Sequence, residues 1–149
     1  MSSVKERALI EAPVSAVWAL LDDPARYSEW NEDTIAVTGA PTKIERGSSF
    51  TMTTRSPFGM QPTTQFVVEE LDDLHEIKLR CQTSGFYSHW FLTEAQGQTF
   101  AEVELGVEPI AGLRARVTSA MHTKSYLRRS AETAVDNLRR ALKRTPASR

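Results

Sequence analysis

The chain has 149 residues, a net charge of −1 and a single cysteine, Cys81. That length suits one domain, which buries roughly 70% of its unfolded-chain surface and needs no covalent staples. One cysteine excludes an intramolecular disulfide framework and favours a reducing, cytoplasmic setting. No basic N-terminal segment leads into an apolar run, and no stretch approaches ~18 apolar residues, so neither export by such a signal nor a transmembrane segment is expected.

In chain order, residues 3–12 alternate as a first strand, which Pro13 ends. Val14, Val17, Trp18 and Leu21 then recur at helical spacing. Asp22-Asp23-Pro24 breaks that helix, with Asp23 suited to an N-cap and Pro24 to the first position of a second, short helix carrying Tyr27 and Trp30. Residues 33–40, 48–56, 62–71, 75–82, 85–94 and 98–108 read as strands, rich in Thr, Val, Phe and Ile, with turn residues between them. Leu71–His75 and Glu94–Gln98 read as hairpin connections, and short connections favour antiparallel pairing, because parallel strands need long crossovers. After Pro109 and Gly112 the pattern becomes helical as far as Arg144. Leu113, Val117, Ala120, Met121, Lys124, Leu127, Ala131, Val135, Leu138 and Leu142 mark one face of it. The expectation is an α+β domain over residues 1–145 with a frayed tail, 146–149: about seven antiparallel strands covered by one long terminal helix.

Charge is unevenly divided. Residues 1–112 hold eight basic and seventeen acidic side chains, and residues 113–149 hold ten basic and two acidic. The two parts either attract each other in the fold or leave a basic helix free for an acidic partner.

The opening Ile10-Glu11-Ala12-Pro13, then Val17-Trp18, Leu21, Asp22 and Trp30, resembles the START-like (SRPBCC, Bet v 1-like) superfamily, and within it the polyketide cyclase/dehydrase type. Gly47 before a strand and the closing Leu138–Leu142–Lys143 run fit the same pattern. The resemblance implies a helix-grip fold: a curved antiparallel sheet wrapped around a long C-terminal α-helix, two short helices after the first strand, and a cavity between sheet and helix. It implies no single activity, since such folds serve enzymes, carriers and sensors.

Strand parity names the side chains that would face that cavity. Phe50 and Met52, Phe66 and Val68, Ile77, Leu79 and Cys81, and Ala101, Val103, Leu105 and Val107 form apolar alternating sets. In 85–94 the inner set is Phe86, Ser88, Trp90 and Leu92, which leaves an unusually aromatic outer set of Tyr87, His89, Phe91 and Thr93. A one-residue slip exchanges the two sets, so His89 is also a candidate; otherwise a partner covers the outer strip. Trp30 is expected at the rim, and Met121 and Lys124 on the helix stripe. Lys124 either reaches past the stripe to solvent or offers a cation to a ligand carboxylate or enolate. Phe58 and Met60, in Ser56–Met60, lie where plant hormone receptors of the resembled fold carry a gate; this segment is either a door or a loop folded over the core.

Chemical motifs are scarce. His75, His89 and His122 lack metal-ligand spacing, and there is no phosphate loop, dinucleotide fingerprint or nucleophile elbow. No metal or other cofactor is expected. Tyr87, His89, Arg80, His122 and Tyr126 are the groups available for proton transfer, with no two placed together by the sequence. Three functions stay open: binding of a hydrophobic small molecule such as a lipid, isoprenoid or polyketide; a polyketide aromatase/cyclase or dehydratase; and an interaction module using the basic helix. No nucleic acid partner is expected, and a homodimer is left open.

Overall fold

A computed structural model describes residues 2–55, 59–108 and 123–144. In chain order they form β1 (Ser2–Ile10), α1 (Val14–Leu21), a 3₁₀ turn (Pro24–Arg26), α2 (Tyr27–Trp30), β2 (Thr34–Thr38), β3 (Ser49–Thr54), β4 (Thr63–Asp72), β5 (Glu76–Cys81), β6 (Phe86–Ala95), β7 (Gln98–Val107) and α3 (Lys124–Arg144). The seven strands make one sheet in the order β1-β7-β6-β5-β4-β3-β2, and every pairing is antiparallel. This is the expected helix-grip architecture.

Local chemistry sets the connections. Between β6 and β7, Gln96 and Gly97 both take positive φ, 54° and 81°, flanked by the pair Ala95–Gln98. Two left-handed residues in a two-residue loop match the twist of the strands they join. β1 stops at Ile10, short of the expected Ala12, because the Ala12 N–H donates to the Ile10 carbonyl at 2.8 Å and turns the chain. Register shifts between Thr34 and Ala36 and between Val68 and Glu70 bend the sheet on the β2–β5 side.

The concave face carries the parity sets read from the sequence: Phe50, Met52, Phe66, Val68, Ile77, Leu79, Cys81, Trp90, Leu92, Ala101, Val103 and Leu105 are all buried. Helix α3 lies on β1 and β7 and against α1 and α2. It buries Leu127, Ala131, Val135 and Leu138. Its N-cap is Thr123, whose Oγ1 accepts the Tyr126 N–H at 3.2 Å. The expected helical stretch from Leu113 to His122 lies outside the described residues, as does the tail.

The aromatic outer strip of β6 keeps the parity that puts Trp90 inside, and its own neighbours occupy much of it. The Tyr87 ring folds across Gly106, where a Cβ would stand 2.6 Å from the phenol oxygen. The Tyr87 hydroxyl donates to Glu104 at 3.0 Å, and Lys78 Nζ sits 4.7 Å from the ring centroid. Burial first, and then the Glu104 carboxylate, push the Tyr87 phenol up to about 12. His89 bonds Glu76 at 2.7 Å and lies 4.2 Å from the Phe91 ring. Arg80 is held between Glu69 and Glu108, and Lys78 reaches both carboxylates.

Candidate functional site

The short helices explain where a cavity begins. The last four carbonyls of any helix lack partners within it. In α1 the Trp18 carbonyl is taken by the Asp22 N–H. The last two carbonyls are taken by aromatic side chains: Trp30 Nε1 donates to the Leu20 carbonyl at 3.1 Å, and the Tyr27 hydroxyl donates to the Leu21 carbonyl at 2.6 Å. Both rings are buried. Trp30 meets Trp90 of β6 edge-on at 6.2 Å, and Tyr27 meets Phe50 of β3 at 6.4 Å. The double bend therefore caps α1 and, with the same atoms, builds one wall of a cavity.

That cavity has a volume of about 240 Å³ and lies between the sheet and the N-terminal half of α3. Its body is apolar, walled by Leu21, Tyr27, Trp30, Ile77 and Leu105 among others, with Ala134 contributed by α3. It reaches the surface beside Met60 and Arg55, both exposed.

Of the side chains named from sequence, Trp30, Met52, Met60, Phe66, Ile77, Leu79, Cys81, Phe86, Ser88, Trp90 and Leu105 line the cavity. Phe50 and Val103 are buried but stand outside the lining. Phe50 stacks on Phe66 at 6.3 Å and supports it from behind. Val103 belongs to β7, where α3 closes down on the sheet, so the gap opens toward β2–β6, with Leu105 lining it from β7. His89 is on the convex face, because residues alternate and its neighbours Ser88 and Trp90 point inward. Lys124 is the exposed first residue of α3 and lines no part of the cavity. Phe58 and Met121 lie outside the described residues. Of the proton-transfer candidates, Tyr126 alone among the described residues lines the cavity; Tyr87, His89 and Arg80 are on the convex face, and His122 is not among the described residues.

Sequence reasoning missed the polar end. Asp33, Thr54, Arg55 and Ser130 join Tyr126 at the mouth. Asn31 Oδ1 accepts the Asp33 N–H at 3.0 Å, an Asx turn that sets the loop into β2. The Arg55 N–H donates to the Asp33 carbonyl at 2.8 Å, and Arg55 Nε donates to the Glu32 carbonyl at 3.0 Å. Two chain segments far apart in sequence are thus tied side by side. Tyr126 arrives from the capped first turn of α3 and bonds Ser130 one turn on. Burial and then the Glu32 charge raise the Asp33 carboxyl above its ordinary range, against the pull of Arg55. Burial and then the Asp33 charge raise the Tyr126 phenol, so it stays protonated at neutral pH. The available signal was the Asn31-Glu32-Asp33 turn, but nothing local links it to Arg55 or Tyr126. Cys81 is buried, with its thiol 3.4 Å from Thr64 Oγ1. Among the described residues no group of three or more His, Cys, Asp or Glu side chains is placed to hold a metal ion.

The fold is shared with several solved structures. A START superfamily protein from Mycobacterium smegmatis superposes with a TM-score of 0.73 at 15% identity, over 95% of this chain and 97% of the other. A protein from Thermus thermophilus gives 0.74 at 12% identity, over 98% and 100%. The Zhui aromatase/cyclase from a Streptomyces species gives 0.71 at 14% identity, over 96% and 94%. At such identities the likeness is one of fold. No curated protein sequence matches the chain. A family model does match, over residues 1–143, and by that match the chain belongs to the polyketide cyclase / dehydrase and lipid transport family.

Proposed function

We propose that the protein binds an apolar or amphipathic small molecule, of lipid, isoprenoid or polyketide type, in the cavity between sheet and α3. The observation that carries this reading is the apolar chamber of about 240 Å³ that reaches the surface at a polar mouth. Left dry and empty, a void of that size would cost on the order of 6 kcal/mol at ~24 cal/mol per Å³. Small domains have only about 5–15 kcal/mol in total. A guest with an apolar body removes that penalty, and the family, which takes in lipid transport, supports the same reading.

Native mass spectrometry of freshly purified protein tests it. The expected result is a bound mass in the lipid or polyketide range, released when the protein is denatured. No co-purifying mass, together with no thermal shift across a lipid and polyketide panel, would count against it.

A second reading, an aromatase/cyclase or dehydratase, is favoured by one observation. A protonated phenol, Tyr126, and a carboxyl, Asp33, line the same end of the cavity. Cyclisation or dehydration requires mainly a shaped chamber and one or two proton-transfer groups. That reading requires turnover of a poly-β-ketone analogue, and loss of it in Tyr126→Phe; an unchanged product profile would remove it.

A further inference from the structure

The polar mouth and the apolar body differ so sharply that they fix which end of a guest goes where. Asp33, Arg55, Tyr126 and Ser130 stand at the mouth, whereas the deep wall is made of Trp30, Trp90 and aliphatic side chains. We propose that the Asp33–Arg55–Tyr126 mouth selects a ligand whose polar head is an uncharged hydroxyl, over a carboxylate or an ammonium on the same apolar chain. This rests on the ligand-binding reading and names the chemistry of its head group.

The reasoning is electrostatic and geometric. The mouth holds charges of both signs, since Asp33 and Arg55 both line it and the guanidinium charge acts on the Asp33 carboxyl. An anionic head meets the Asp33 carboxylate with Glu32 next to it, and the single guanidinium is already engaged through Nε by the Glu32 carbonyl. A cationic head meets Arg55 and, like the anion, gives up far more hydration than one opposite charge in a mixed mouth restores. A hydroxyl meets no like charge: it can donate to Asp33 and accept from Tyr126, and it gives up little hydration on entry. Among the described residues no further charged side chain lines the cavity. Among the described residues of α3, Tyr126, Ser130 and Ala134 line the cavity, while Lys124, Arg128 and Arg129 are exposed and stand outside the lining. The β4 side offers Pro62 and Thr64, and the loop before β6 offers Thr83 and Ser84, all without charge.

The volume sets the length of a test ligand. About 240 Å³ equals the share of roughly eight waters at about 30 Å³ each, which suits an eight-carbon chain. Octanol, octanoate and octylamine have one tail and three heads. They can be titrated calorimetrically into the full chain at about pH 8, where the acid is ionised and the amine protonated. Octanol is expected to bind tighter than either by roughly tenfold or more, the ratio expected for one unmatched charge in a part-buried site. Asp33→Asn should narrow the gap between octanol and octanoate, and Arg55→Met the gap between octanol and octylamine. A charged head that binds as tightly as octanol overturns the proposal. So does an octanol-to-octanoate ratio unchanged in Asp33→Asn, with thermal unfolding confirming that the variant is folded. If none of the three binds, the ligand-binding reading itself fails, and the proposal with it.

Discussion

Asp33 is the residue where function and stability pull in opposite directions. Its carboxyl is raised above the ordinary value of 3.8, by burial first and by Glu32 second. The folded state therefore holds that proton more tightly than the unfolded chain does. The stabilising contribution is complete below pH 3.8 and is lost as pH rises through the raised folded value. Once pH has passed that raised value, the ionised Asp33 is a liability. Asp33→Asn, neutral at every pH, is expected to raise the melting temperature at pH 7 and to flatten its pH dependence from 3.8 upward. A melting curve at several pH values checks this; a lower melting temperature at pH 7 would show that the carboxylate is a structural partner of Arg55. Glu69 behaves oppositely. Burial pushes its carboxyl up, but the hydrogen bond and charge of Arg80, with Lys78 beside it, together outweigh that and hold it low. Its contribution is present above 4.5 and disappears as pH falls through the depressed value.

At the scale of elements, α3 carries both the lid of the cavity and the phenol at its mouth. Tyr126 is the third residue of the helix, and its backbone N–H is the group that Thr123 Oγ1 accepts. Loss of that cap leaves a backbone donor unsatisfied in the turn that positions the phenol. Thr123→Ala is expected to lower stability by about 1 kcal/mol. It should also weaken octanol binding while leaving a deep-wall reporter such as Trp90 in its native environment. Denaturant unfolding and the same calorimetric titration measure the two effects. An unchanged affinity would separate the cap from the site. Elements were also where the reading from sequence was strongest. Period-two alternation placed Leu79, Cys81, Ser88 and Trp90 on the inner face, and that parity is what the antiparallel ladder requires. The same rule puts His89 outside.

For the whole molecule, the decisive feature is that α3 touches the sheet at one side and stands off it at the other. It packs on β1 and β7, and the bulged β2–β5 side curves away to leave the chamber. Filling the gap from the helix tests this directly. Ala134 lines the cavity, and Ala134→Leu adds three carbons, worth up to ~2 kcal/mol at about 0.8 kcal/mol per buried methylene. The variant is expected to melt no lower than the parent and to lose octanol binding. Retained binding would place the ligand elsewhere. The basic side chains of α3 are partly engaged within the fold: Arg139 donates to the Leu9 carbonyl at 3.0 Å and faces Asp136, and Arg140 bonds Asn137. Lys124, Arg128 and Arg129 remain on its exposed surface.

By itself the sequence determined what nearest neighbours and short periods encode: which segments are strands, which face of each is apolar, where α1 breaks, and that a long helix closes the chain. These follow from side-chain alternation, proline and turn chemistry, all of which act over a few residues. Only the tertiary structure decided which apolar residues border empty space and which are packed solid. Phe66 and Phe50 share a parity, yet one lines the chamber and the other backs it; Val103 has the right face but lies where α3 closes on β7. The tertiary structure also assembled Asp33, Arg55 and Tyr126, which come from a loop, a strand end and a helix start. Curvature and long-range closure set those distances, and no local pattern in the chain records them.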